Sequence, residues 1–325
     1  MSLVENTIQA IQLHLLPESL ILYGSFALLT VALVAIDIYQ TRGGLISLRK
    51  AVGWSLFWVL LAAMFAVSIF LFWGSYSPHS EYSNQQATIA FITGFLLEKS
   101  LSIDNLFVFA IIFTQYKVPD VLRPRALLWG VIGALVFRAI MIVAGAKLLE
   151  EYHWLLYLFA AFLIWTGIQF ACKRDENDEL SPYPEKLIRS LLPVTEGFKG
   201  NQLFFRTSKK WMATPMLIVV SMIAIMDVMF ALDSIPAIFA VTREPFIVLA
   251  ANVFALLGLR SLYFVLQAML SKFVYLKPAL AIIMIFIGVK MLMVESQYAI
   301  PTTWSLSFLV VVMTSSIIAS IYKRS

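Results

Sequence analysis

The sequence predicts an all-α polytopic membrane protein of about nine transmembrane helices, containing two inverted three-helix repeats. Three observations predict it. The 325-residue chain is 61% hydrophobic and 13% charged, with a mean hydropathy of +0.86. A soluble domain carries about 45–50% apolar and about 25% charged residues. Apolar stretches recur at the length, roughly 20 residues, that crosses about 30 Å of hydrocarbon. Finally, a motif of two acids six residues apart, the second followed by a small polar residue, occurs twice.

The apolar stretches fall at 20–39, 51–73, 87–113, 125–147, 154–171, 212–240, 246–267, 276–294 and 303–321. The third and sixth exceed one straight span, and both contain acids. Alternate connections differ in charge, as the positive-inside rule expects. Arg42, Arg49, Lys50, Lys117, Arg123 and Lys272 lie in the loops 40–50, 114–124 and 268–275, and Lys323 and Arg324 in the tail. The loop 172–211 holds eight more Lys and Arg. The segments 1–19, 74–86, 148–153 and 295–302 hold none, and 241–245 holds only Arg243. This places the N-terminus outside and the C-terminus in the cytoplasm. The net charge of +5 therefore reports topology and not nucleic-acid binding. The first residues lack a basic n-region and a small-residue cleavage site, so no cleaved leader is expected. One cysteine, Cys172, excludes an intrachain disulfide or a CxxC pair.

The loop 172–211 is the one sizeable segment expected outside the membrane. Within "PEKLIRSLLP", Leu187, Ile188, Leu191 and Leu192 form a stripe that suits a short helix on the membrane surface. The acidic run "DENDE" at 175–179 reads as a solvated loop. His14, His79 and His153 fall on the outer side and read as scattered surface histidines.

Internal repetition organises the rest. "EKSLSIDNLFVFAIIF" (98–113) lies over "DVMFALDSIPAIFAVT" (227–242), matching Glu98 with Asp227, Asp104 with Asp233 and Asn105 with Ser234. Downstream, "GVIGALVFR" (130–138) lies over "NVFALLGLR" (252–260), and "FAAFLIWTGIQF" (159–170) over "LAIIMIFIGVKM" (280–291). Arg138 then matches Arg260, and Gly167 matches Gly288. Each copy holds three spans, and an odd number inverts the second copy across the bilayer. The chain divides into a two-helix segment (1–86), a first repeat (87–171), a cytoplasmic loop (172–211), a second repeat (212–294) and a C-terminal helix with its tail (295–325). Inverted repeats with acid- or proline-interrupted helices at matching positions are a transporter signature.

An ionised carboxylate at bilayer depth costs at least about 2.5–3.5 kcal/mol on insertion scales. Glu98, Asp104, Asp227 and Asp233 are placed there, with Arg138, Arg260 and Lys99 as countercharges. Structural ion pairs would use up at most three acids. At 100° per residue, Glu98, Ser102 and Asn105 share one stripe, as do Asp227, Ala231 and Ser234, while Asp104 and Asp233 lie about 120° away. A loosened backbone at each motif, favoured in the second copy by Pro236, would bring carbonyls and carboxylates around one ion. These are hard oxygen donors without His or Cys, suited to Mg²⁺, Ca²⁺ or Mn²⁺. Met222, Met226 and Met229 lean the choice towards Mn²⁺. The expected partners are thus a divalent metal substrate, protons as coupling ion, and the lipid bilayer. No resident cofactor and no enzymatic activity are expected.

"LLEKSLSIDNLFVF", "MDVMFALDSIPAIFAV" and "ATPM" at 213–216 closely resemble the TerC family of bacterial membrane proteins, particularly its Alx-like branch. The resemblance covers nearly the whole chain. It implies nine helices with inverted three-helix units, kinship with LysE-type exporters, and links to Mn²⁺ export and tellurite resistance. Its acidic motif positions fall on Glu98, Asp104, Asn105, Asp227, Asp233 and Ser234. One position departs: the family usually carries a glutamate three residues before the acid matching Asp227, where this chain has Ala224.

Two other readings compete. An intramembrane aspartyl protease would need a GxGD element, which is absent, and each aspartate here has a second acid six residues away. A scaffold for envelope assembly or redox state would leave no motif. Carboxylates repel an oxyanion, so direct transport of tellurite is not expected.

Overall fold

The computed structural model describes residues 17–40, 47–152, 154–172, 189–190, 193–195, 197–207, 210–269, 275–293, 296 and 298–322. Five helices precede a hairpin: α1 (Pro17–Gln40), α2 (Leu48–Tyr76), α3 (Asn84–Gln115), α4 (Arg123–Glu151) and α5 (Leu155–Cys172). The hairpin pairs β1 (Phe204–Thr207) with β2 (Lys210–Ala213). Then come α6 (Pro215–Phe239), α7 (Pro245–Leu256), α8 (Leu259–Met269), α9 (Leu276–Leu292) and α10 (Thr302–Tyr322). A helix covers each predicted stretch, the seventh being split into α7 and α8. Among the described residues, five helices (α1, α2, α4, α6 and α10) are long and apolar enough to cross a membrane, or six spans with the bent α7–α8 pair.

Their outward faces suit lipid. Leu28 of α1 and Leu60 of α2 are 77% and 64% exposed, within continuous apolar surfaces that water would not tolerate. Exposed Trp154, Tyr298 and Trp304 lie near the starts of α5 and α10, and exposed Tyr39 and Tyr322 at the ends of α1 and α10. Aromatic rings with one polar tip favour these interfacial depths.

Local chemistry sets several helix starts. Ser83 and Gln86 form a reciprocal capping box at the head of α3. Asn84 ties that head to α2, accepting from Gly74 N at 3.1 Å and donating to Phe70 O at 2.9 Å. Proline occupies the first turn of α4, α6 and α7, where a missing N–H costs least.

The two sets of three helices cross-pack. α3 lies on α7, α4 on α6, and α5 along α9. Small residues permit the close approach. A Cβ on Gly94 would meet Ile238 Cδ1 at 2.9 Å, and one on Gly130 would collide with Ile223 Cγ2. In the α5–α9 seam, a Cβ on Gly167 would meet Ile285 Cγ1 at 2.8 Å and Ala281 O at 3.1 Å. One on Gly288 would meet Ile164 Cγ1 at 2.6 Å and Ala160 O at 2.9 Å. Around these contacts lie two apolar clusters, one centred on Trp58, Phe91 and Phe254, the other on Phe113, Met216 and Tyr263.

Three expectations need correction or fall outside view. The helices do not loosen at the acid motifs: α3 and α6 run unbroken through them. Pro236 sits three residues before the end of α6, where the lost donor disturbs little. The break occurs instead at Leu257–Gly258, where α7 and α8 meet at 43°. Gly258 has φ +76°, and a Cβ there would meet Trp58 Cδ1 at 2.5 Å. Secondly, the sixth span does not begin at 212, because that residue belongs to β2. Thr214 instead ends the hairpin, donating to Gln202 O at 2.6 Å, and Pro215 opens the helix. Finally, the surface helix expected over 184–193 lies mostly outside the described residues, although Arg189 and Ser190 are helical.

Candidate functional site

Arg138, on α4, is 1% exposed and occupies the centre of a polar cluster. Its Nη1 donates to Glu98 Oε2 of α3 at 2.5 Å, to Asn252 Oδ1 of α7 at 2.9 Å, and to Ser234 Oγ of α6 at 3.3 Å. Its Nε and Nη2 donate to Asp227 Oδ2 and Oδ1 of α6 at 3.4 and 3.3 Å. The planar fork of a guanidinium suits this task, because several donors must be satisfied at once in a dry interior. Four helices therefore deliver one residue or more each to a common point.

The stripe geometry holds. Glu98, Ser102 and Asn105 are all buried, as are Asp227, Ala231 and Ser234. With Glu98, Asp227 and Arg138 ionised, the cluster carries one net negative charge. Its hydrogen bonding is also incomplete among the described residues, where Glu98 Oε1 and Ser102 Oγ are buried with no partner. Buried carboxylate and hydroxyl oxygens normally make at least one hydrogen bond.

The other countercharges go elsewhere. Arg260 is buried and pairs with Asp37 of α1, its Nε at 2.7 Å from Asp37 Oδ2. Lys99 turns away from Glu98, next to it in sequence, and donates to the carbonyls of Ala255 and Leu257 at 3.0 and 3.1 Å. Of the predicted site residues, Glu98, Asp227 and Ser234 converge with Arg138. Ser102 and Asn105 are buried on the same helix stripe, while Lys99 and Arg260 serve other partners. Asp104 and Asp233 sit on α3 and α6, but their side chains lie outside the described residues. Met222 is fully buried in apolar packing and Met229 is 56% exposed on the outer face of α6, so Met229 is no ligand. Among the described residues, no group of three His, Cys, Asp or Glu is placed to hold a metal.

Sequence reasoning missed Asp37, Asn252 and Lys290. All three are polar residues inside predicted spans, which was the available signal. Asn252 matches Gly130 in the repeat alignment and so escaped a search for paired residues. Asp37 lies before the first repeat. Lys290 is buried on α9, with its ammonium unpartnered among the described residues.

Apolar outer faces around an ionised, hydrogen-bonded interior define a polytopic helical membrane protein. The chain belongs to the TerC family: the description "Integral membrane protein TerC family" matches residues 83–325. It is 41% identical over 302 residues to a Salmonella typhi protein, Alx, named as a proposed membrane-bound redox modulator, covering 92% of this chain and 93% of that one. The Alx of Escherichia coli K12 is 40% identical over 310 residues, covering 94% and 96%. An uncharacterized membrane protein of Myxococcus xanthus is 39% identical over 309 residues, covering 93% and 92%. No solved structure matches the chain.

Proposed function

We propose that this protein is a secondary transporter exporting a divalent cation, Mn²⁺ being the best fit, from a site between two inverted three-helix repeats. Its nine spans would cross the bacterial inner membrane with the N-terminus outside and the C-terminus in the cytoplasm. The observation that carries the reading is that, among the described residues, the buried Glu98 Oε1 has no partner and neither has Ser102 Oγ one turn on. Both are hard oxygens beside a cluster with an excess negative charge, as a divalent cation requires. Packing supports the repeat. Under the alignment that matches Gly167 with Gly288, Ala160 matches Ala281 and Ile164 matches Ile285, and the two glycines make reciprocal contacts through those pairs.

In this reading Arg138 holds the cation's place between transport cycles. A guanidinium between two ionised carboxylates offsets half of their charge while no metal is bound. A doubly charged ion offsets it more fully and would displace the guanidinium from at least one acid. Asp104 and Asp233 would complete the oxygen shell as the repeats rock, with protons returning to the acids after release.

The second reading is a membrane scaffold in envelope metal or redox stress, without transport. The same Arg138 cluster favours it, since one arginine bridging Glu98 and Asp227 is also how a structural lock would look. Metal accumulation in cells expressing wild type, Glu98→Gln, Asp104→Ala or Asp233→Ala separates the two. Transport requires wild type to lower intracellular Mn²⁺ and each variant to lose that effect. Variants that export as well as wild type would refute the site, and a wild type that exports nothing would leave the scaffold. Ala224→Glu, which restores the family's acid one turn before Asp227, should raise flux.

A further inference from the structure

The break between α7 and α8 has chemistry of its own. A helix end leaves carbonyls without intrahelical donors, and in a membrane interior water cannot replace them. The donor that Ala255 O would meet in a continuous helix is the N–H of Leu259, across the bend. Leu257 has extended backbone, φ −62° and ψ 135°, and the first carbonyl engaged by α8 is that of Gly258, which accepts from Leu262 N at 2.9 Å. The carbonyls of Ala255 and Leu257 therefore fall between two helices. Both point at one atom, Lys99 Nζ, at 3.0 and 3.1 Å.

That cradle is rigid and electronegative. Gly258 holds the turn at φ +76°, pressed against the buried Trp58 ring. The C-terminal end of α7 adds the negative pole of its helix dipole. Asp37, paired with Arg260 just past the break, lies within electrostatic reach of Lys99. Ser261, in the first turn of α8, has a buried hydroxyl with no partner among the described residues. Convergent carbonyls at the end of a broken membrane helix are the donor set that binds alkali cations in transporters.

We propose that the α7–α8 break is a monovalent-cation site whose resident cation is the Lys99 ammonium, tethered there by α3. Lys99 takes the position an Na⁺ or K⁺ ion would otherwise fill, which makes the wild-type protein indifferent to alkali ions at this point. The inference concerns the break alone and does not depend on what the Arg138 site carries.

The test compares purified wild type, Lys99→Ala, Lys99→Met and Lys99→Arg in detergent, each melted in NaCl, KCl and choline chloride at equal ionic strength. Wild type should melt alike in all three salts. Lys99→Ala should gain a few degrees, saturably, in NaCl or KCl over choline, since it opens the cradle. Lys99→Met, filling the space without charge, should be destabilised with no alkali rescue. A Lys99→Ala protein that is salt-insensitive, or a wild type with the same alkali dependence, would overturn the proposal. Should Lys99→Ala not yield folded protein, Lys99→Arg folding where Lys99→Met does not would support a need for positive charge. Equal behaviour of Lys99→Arg and Lys99→Met would refute it.

Discussion

Gly167 and Gly288 are counterparts in the α5–α9 seam: each is the point where its helix lies against the partner's backbone. A Cβ would sit 3.1 Å from Ala281 O at the first and 2.9 Å from Ala160 O at the second. Neither carbonyl can retreat without bending its helix. Gly288→Ala should therefore destabilise the protein by about 1–3 kcal/mol, the usual cost of overpacking. Gly167→Ala should act in the same direction and to a similar extent. Melting of the purified variants in detergent checks this, and a variant as stable as wild type would show that the seam is looser than described.

Arg138 is held by two carboxylates that nothing else described neutralises. Removing one partner of a buried ion pair typically costs about 3–5 kcal/mol. Arg138→Gln should accordingly lose most folded protein, as judged by size-exclusion chromatography of membrane extracts. Arg138→Lys should recover only part, because one ammonium cannot reach Glu98, Asn252 and Asp227 together. If the cluster admits a divalent ion, added Mn²⁺ should partly restore Arg138→Gln and leave wild type unchanged.

The Asp37–Arg260 pair ties α1 to the second half of the break. Asp37→Asn and Arg260→Gln should each be strongly destabilising, since each breaks a buried ion pair. The double variant should be less impaired than the sum of the two, by at least about 1 kcal/mol, as direct contact implies. Additive losses in a melting experiment would mean that the two residues act separately.

Gly258 combines a left-handed backbone with contact against an indole. Gly258→Ala carries roughly 1–2 kcal/mol of backbone penalty, besides a Cβ placed 2.5 Å from Trp58 Cδ1. Severe loss of folded protein is expected. Pairing it with Trp58→Ala should not recover wild-type stability, because the backbone penalty remains and a large cavity is added. Full recovery in expression and melting would assign the whole effect to the clash.

Much of the architecture was legible without coordinates. Length and apolarity located the stretches over 20–321 that α1 to α10 cover, and among the described residues five of these helices, or six spans with the bent α7–α8 pair, are long and apolar enough to cross hydrocarbon. Helical periodicity, an equally local property, put Glu98, Ser102 and Asn105 on one buried stripe. The hairpin was not legible, since "FFRTSKKWMA" shows no clear alternation of apolar and polar residues. Nor was the site of the break. Pro236 looked disruptive but falls at a helix end, whereas the chain bends at Gly258 through its φ of +76°, at a point where Trp58, 200 residues earlier, leaves no room for a side chain.

Charge partners divide in the same way. Hydropathy and the repeat marked Glu98, Lys99, Arg138, Asp227 and Arg260 as residues whose burial must be compensated, because that cost belongs to each residue alone. Which partner each one takes was decided by tertiary structure. Arg138 collects the first acid of each motif copy, Glu98 and Asp227, Arg260 takes Asp37 from outside the repeats, and Lys99 takes two backbone carbonyls. A Coulombic partnership needs proximity in space, and residues 89 or 223 positions apart acquire it only when helices pack.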